Sequence, residues 1–202
     1  MPPASEADLL NGALARIGAV RIVSIDDAVT TARWCKTLYP PLRRRAFSMH
    51  FWTFAEWRDQ LAQVTPKPEF EFAFAYSLPA DFIRIKEYNG ALVDLSAVDP
   101  LYQFQITGRY KIEDQFLYTN DGEVKIVYTR DVENPARWSG FFFEFVKVYL
   151  ASELCYAINK DDRKASALLQ EALTVHLPMA AAVDSQQGTI TPYRSDDLIW
   201  GR

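Results

Sequence analysis

The side chains able to do chemistry in this chain are few and widely separated. His50 and His176 are its two histidines. Neither stands in a His-x-x-x-His or Cys-x-x-Cys pattern, so both read as ordinary surface or core residues ahead of zinc ligands. Cys35 and Cys155, the two cysteines, have no second thiol nearby and suggest neither a disulfide framework nor a metal site. Acids are adjacent at Asp26-Asp27, Glu113-Asp114, Asp161-Asp162 and Asp196-Asp197. Because a glycosidase can recruit two carboxylates from separate strands, a hydrolase acting on glycan or peptidoglycan is the alternative reading. Loss of glycan cleavage after Glu113→Gln or Asp114→Asn would support it. The blander account places the first and third pairs at helix N-termini, which favour acids, and the second in a turn between strands. The chain has 8 glycines and no GxGxxG, GxxxxGK[ST] or GxSxG, so nucleotide binding and α/β-hydrolase chemistry lack their usual signals. The expectation is no catalytic residue, no cofactor and no metal.

Two features point to binding instead. Arg43, Arg44 and Arg45 form the one concentrated basic run. They read first as a solvated helix face, then as a contact to carboxylates of a neighbouring subunit, and third as the lining of a DNA channel. The other feature is Leu198-Ile199-Trp200, three apolar residues closing a polar stretch with too little apolar surface to fold alone. Tryptophan is a preferred interface anchor, so residues 185–202 are expected to dock on a partner, with packing back on their own helices as the other option.

Composition narrows the class. Hydrophobic residues make up 49% of the 202 and aromatics 14%, enough for a core and for some aromatic surface at a partner. A net charge of -4 gives no global field toward nucleic acid. Cysteine usage fits synthesis in a reducing cytosol, and no run approaches the roughly 18 apolar residues of a membrane span.

The elements that must position these residues read as two helices, a β block and two helices. Ser5-x-x-Asp8 caps a helix whose apolar face is Leu9, Leu10, Ala13, Leu14 and Ile17, stopped by Gly18. Ser24-x-x-Asp27 predicts a second helix carrying Ala28, Ala32, Cys35 and Leu38, which Pro40-Pro41 must break or kink before Leu42, Ala46 and Met49 resume the period. The arginines would then point largely away from the core. From Trp52 short aromatic runs predict strands, although Trp57, Leu61 and Val64 also fit a helix. Phe70, Phe72, Phe74 and Tyr76 alternate as a strand, and Asn120-Asp121-Gly122 reads as a hairpin turn. Asn134-Pro135 predicts the start of the longest helix, and Ala165, Leu168, Leu169, Ala172 and Leu173 a fourth, ending or kinking near Pro178. The fold expected is α+β: a four-helix bundle (1–51 and 133–184) with an inserted small antiparallel sheet or barrel-like domain (52–132) and an extended C-terminal arm (185–202).

Seven motifs in order carry a resemblance. They are Asn11, Leu14, Ile17-Gly18 and Ile22; Ser24 to Asp27; Trp52-x-Phe54-Ala55; Tyr76-x-Leu78-Pro79-x-Asp81-Phe82-x-Arg84; Tyr110-x-Ile112-x-x-x-x-Leu117; Ile126-x-Tyr128; and Leu150-Ala151-x-x-Leu154. Across about residues 8–184 this is similar to the head-to-tail adaptors of short-tailed phages, the tail tubular protein A family. Pro40-Pro41 and the arginine triplet depart from its pattern. The resemblance implies a structural virion protein of the phage neck, made in the host cytoplasm. Its subunits would form a twelve-fold ring between the portal protein and the tail nozzle, with genomic DNA passing through without sequence-specific binding and no membrane contact.

Overall fold

The computed structural model describes residues 5–65, 68–93 and 110–187. Helix α1 (Glu6–Ile17) starts on the capping box: Asp8 N–H donates to Ser5 Oγ at 3.1 Å and Ser5 N–H to Asp8 Oδ2 at 3.0 Å. It ends at Gly18, whose φ of 73° is open to glycine at little steric cost. Leu9, Leu10, Ala13, Leu14 and Ile17 are buried.

The chain then turns back along α1. The Asn11 amide clamps the return, donating to Ile22 O at 2.8 Å and accepting from Ile22 N–H at 2.9 Å. Ile22 is buried, so Asn11→Ala strands two backbone groups. A loss of about 1–3 kcal/mol in urea unfolding is expected, against a few tenths for a neutral surface change.

Helix α2 (Thr30–Ser48) departs from expectation twice. Ser24 to Asp27 does not open it. There the Asp27 carboxylate accepts from Val23 N–H at 2.8 Å and Ser24 N–H at 3.1 Å, closing a free-standing turn. Nor does Pro40-Pro41 end the helix. Each proline removes one amide donor and meets the preceding turn, at about 3 kcal/mol in a helix interior. On the other side Cys35, Tyr39, Leu42, Ala46 and Phe47 are buried and hold the segment to the core, each large side chain contributing about 1.5–3 kcal/mol.

Asn134 caps only a short 3₁₀ turn, Pro135–Arg137, and the long helix α3 (Gly140–Leu154) starts separately at Ser139, which accepts from Phe142 N–H at 3.2 Å. Phe142, Phe145, Val146, Val148, Tyr149, Leu150, Ala151 and Leu154 are all buried. A helix apolar nearly all round is an axle, and α3 packs against α1, α2 and the two segments that follow. Those are α4 (Asp162–Glu171), capped by Asp161, and α5 (Leu177–Ser185), joined by a wide π turn at Ala172–His176. The widened turn takes up the misfit of Pro178, so the helix continues past it.

The strands lie between Glu56 and Arg130, and Trp57 belongs to a strand, not a helix. The described residues form two four-stranded antiparallel sheets. The first has the order β1 (Glu56–Gln60), β8 (Lys125–Arg130), β4 (Phe82–Tyr88), β5 (Ala91–Leu92); the second has β2 (Gln63–Val64), β3 (Phe74–Ser77), β7 (Phe116–Thr119), β6 (Tyr110–Glu113). They share a core of Tyr76, Leu117, Ile85, Tyr88, Ile126 and Tyr128, separate from the helical core. Asn120-Asp121-Gly122 is therefore a crossover between sheets and not a hairpin, pinned where Tyr88 Oη donates to Asp121 Oδ2 at 2.8 Å. Tight two-residue hairpin turns lie instead at Asn89-Gly90, with φ of 46° and 84°, and at Asp114-Gln115 between β6 and β7. The alternation from Phe70 becomes strand only at Phe74, because Glu71 adopts a φ of 69° and Phe70 turns out to solvent, 80% exposed.

Candidate interaction sites

The arginine run lies where α2 meets the first sheet. Arg43 follows Cys35 and Tyr39 at four-residue intervals and precedes Phe47, so the helical period puts it on the buried face, with a side chain 9% exposed. Its Nε donates to Asp131 Oδ1 at 2.7 Å and its terminal nitrogen to Asp131 Oδ2 at 2.9 Å, a bidentate pair, with Glu133 at 3.1 Å. Burial works against the guanidinium charge, but the Asp131 carboxylate outweighs it and raises the Arg43 pKa. The solvated-face reading is thus corrected for Arg43. Arg44 reaches Asp131 Oδ2 at 3.3 Å and the Phe82 carbonyl at 2.9 Å, and Arg45 donates to Tyr149 Oη at 2.9 Å. Arg44 and Arg45 remain 46% and 58% exposed, so of the three these two can still meet a partner.

A second polar joint fastens the end of α5. Asp184, 1% exposed, accepts from Thr53 N–H at 2.9 Å and Thr53 Oγ1 at 3.0 Å, with His50 Nε2 at 3.5 Å. Burial would raise this carboxyl, but its partners His50 and Thr53 together bring its pKa below the usual value. A depressed acid contributes stability that is present above its unfolded pKa of about 3.9 and lost as pH falls through the lower folded value. Asp184→Asn should therefore destabilise the chain at pH 6 by about 1–3 kcal/mol, with the gap to the parent narrowing as pH falls below that unfolded value. Urea midpoints above and below that value test this; a pH-independent gap would exclude the charge as the cause.

The other residues singled out for chemistry are dispersed. His176 lies 3.1 Å from Glu171, which also pairs with Arg16 at 2.8 Å. Asp26 pairs with Lys36, and Glu113 with Lys111, both at 2.7 Å. Asp114 occupies a turn with φ 54°, and Asp161 caps α4. Asp26-Asp27 therefore belongs to a loop and not to a helix N-terminus. Both cysteines are buried and free, and burial pushes the Cys35 thiol up to about 11, away from nucleophilic use. Among the described residues no group of three or more His, Cys, Asp or Glu could hold a metal ion, and no helix is long and apolar enough to cross a membrane. Leu198, Ile199 and Trp200, with Asp196-Asp197, lie outside the described residues.

Sequence reasoning missed Asp131 and Asp184, the two acids that organise these joints. Asp131 directly follows a strand and could have been sought as a partner for the arginines; Asp184 carries no such signal. Also missed was a shallow groove of about 350 Å³ on the first sheet, lined by Arg58, Gln60, Glu87, Lys125 and Val127. Compared with known proteins by sequence, the chain matches no protein-family model and no curated protein.

Proposed function

We propose that this chain is a structural subunit of a phage head-to-tail adaptor ring, joining the portal to the tail nozzle around the DNA channel. The observation that carries the reading is the ordered run of seven motifs over about residues 8–184. Their residues stand at positions on which the fold depends: Asn11 clamps Ile22, Gly18 closes α1, Trp52 and Ala55 enter the helical core, and Leu150, Ala151 and Leu154 fill the axle helix. A β unit with a half-exposed Trp57, inserted between helices of which α2 carries the exposed Arg44 and Arg45, offers separate faces for separate partners.

The test is the mass and symmetry of the chain mixed with its portal. A twelve-fold ring is expected, and a persistent inert monomer would overturn the reading. A chain ending after Asp184 keeps the Thr53 and His50 anchor. It should fold with an unchanged melting curve yet lose ring or portal binding, because Leu198-Ile199-Trp200 is gone; normal assembly of that truncation would remove the role proposed for the arm.

A further inference from the structure

Among the described residues, both sheets have one edge blunted by brevity and one that is not. β5 and β2 are two residues each, whereas β1 has five and β6 four. Among the described residues no strand pairs with the outer edge of β1 or β6. Short edges are a common protection against strand addition; the longer two lack it.

The hydrogen-bond phase shows which backbone groups those edges present. Leu61 N–H donates to Val124 O at 2.9 Å and Asn89 N–H to Lys125 O at 2.8 Å. By alternation, Val124, Ile126 and Tyr128 turn their backbone groups toward β1, and Lys125 and Val127 toward β4. Asp59 and Trp57, opposite Ile126 and Tyr128, are thus bonded inward, while Glu56, Arg58 and Gln60 aim N–H and C=O outward. In the second sheet Leu78 N–H donates to Gln115 O at 2.9 Å, so Leu117 and Thr119 face β3 while Phe116 and Tyr118 face β6. Glu113 and Lys111 are then bonded inward, and Tyr110 and Ile112 face outward.

From this phase we infer that the ring joint is an edge-to-edge strand pairing, in which β1 of one copy adds antiparallel to β6 of the next. This rests on the ring reading above. The in-phase register with greatest overlap sets Gln60 against Tyr110, Arg58 against Ile112, Asp59 against Lys111 and Trp57 against Glu113 of the second copy. Asp59 meets a cation, and Trp57 and Ile112, 48% and 38% exposed in the single chain, are both covered. Centred pairing of β1 with itself would instead oppose Arg58 to Arg58, which penalises a two-fold dimer. Two different edges joined head to tail make a heterologous contact, the kind that closes into a ring when its rotation allows.

Proline provides the test, because at Arg58 it removes an outward N–H and leaves the ladder to β8 intact. Full-length Arg58→Pro should keep the melting curve and circular dichroism of the parent but lose the ring species when mixed with portal. Arg58→Ala, which keeps the edge, should shift the concentration of half-assembly by less than about tenfold. If the parent forms rings and Arg58→Pro forms them equally well, edge pairing is overturned and the ring reading stands; if the parent forms none, the ring reading itself fails. Should Arg58→Pro not fold, the charge exchange decides. Asp59→Lys and Lys111→Asp should each weaken assembly and their combination restore it, while no restoration counts against the pairing.

Discussion

Asp131→Ala should destabilise the protein by about 3–5 kcal/mol, because it removes the carboxylate that holds the buried Arg43 guanidinium bidentately. Glu133 also touches Arg43, at 3.1 Å, but its side chain is 81% exposed and a water-facing acid compensates a buried charge poorly. The cost therefore reflects an uncompensated ion more than the loss of a favourable bond. A double replacement separates the two. Arg43→Met with Asp131→Leu removes both charges and keeps apolar volume, so it should recover most of the loss. The pair also couples α2 to the chain leaving β8, and Arg44 adds a bond to the Phe82 carbonyl at the start of β4. Urea unfolding followed by tryptophan fluorescence reads the effect; a loss below about 1 kcal/mol for Asp131→Ala would mean that the pair is effectively solvated.

The comparison of sequence with structure turns on range. Ser5-x-x-Asp8 and Ser24-x-x-Asp27 make the same side-chain bond, with Ser5 N–H to Asp8 at 3.0 Å and Ser24 N–H to Asp27 at 3.1 Å. Yet only the first opens a helix. Leu9 N–H goes on to donate to Ser5 O at 3.1 Å, a helical span, whereas Asp27 N–H donates to Ser24 O, one residue short of it. The local motif specifies a turn, and the apolar residues after it decide whether helix follows. Leu9 and Leu10, both buried, supply them after Ser5; the matching positions after Ser24 are Ala28 and Val29, both exposed, and helix begins only at Thr30.

Arg43 was partly legible. Its place in the Cys35, Tyr39, Phe47 row puts it on the buried face, but its partner lies 88 residues away and spacing does not reveal that. The Asn120 to Gly122 crossover was illegible for a similar reason. Turn chemistry gives a reversal, while the partners of the flanking strands are set by the aromatic core between the sheets.

Phe142→Ala should be the other large loss, about 3–5 kcal/mol. Phe142 is fully buried, and its ring centroid lies 4.8 Å from Phe47, 4.6 Å from Trp52, 5.2 Å from Phe54, 5.0 Å from Trp138 and 6.1 Å from Phe145. The five neighbours come from different parts of the chain: the end of α2, the approach to β1, the exit from β8 and α3 itself. One truncation therefore loosens both crossings into the β unit as well as the axle helix. Trp52 and Trp138 cannot simply collapse into the gap, because their indole nitrogens are tied to Ala46 O at 3.1 Å and Val132 O at 2.7 Å. That restriction keeps the cavity open and places the cost high in the range for aromatic truncations. Phe142→Leu, which refills much of the volume, should lose less, and Phe141→Ala next door, 44% exposed, should stay within about 0.5 kcal/mol of the parent. Urea midpoints for the three variants, at unchanged slope, check the order; equal losses at 141 and 142 would place the helical body's centre of packing elsewhere.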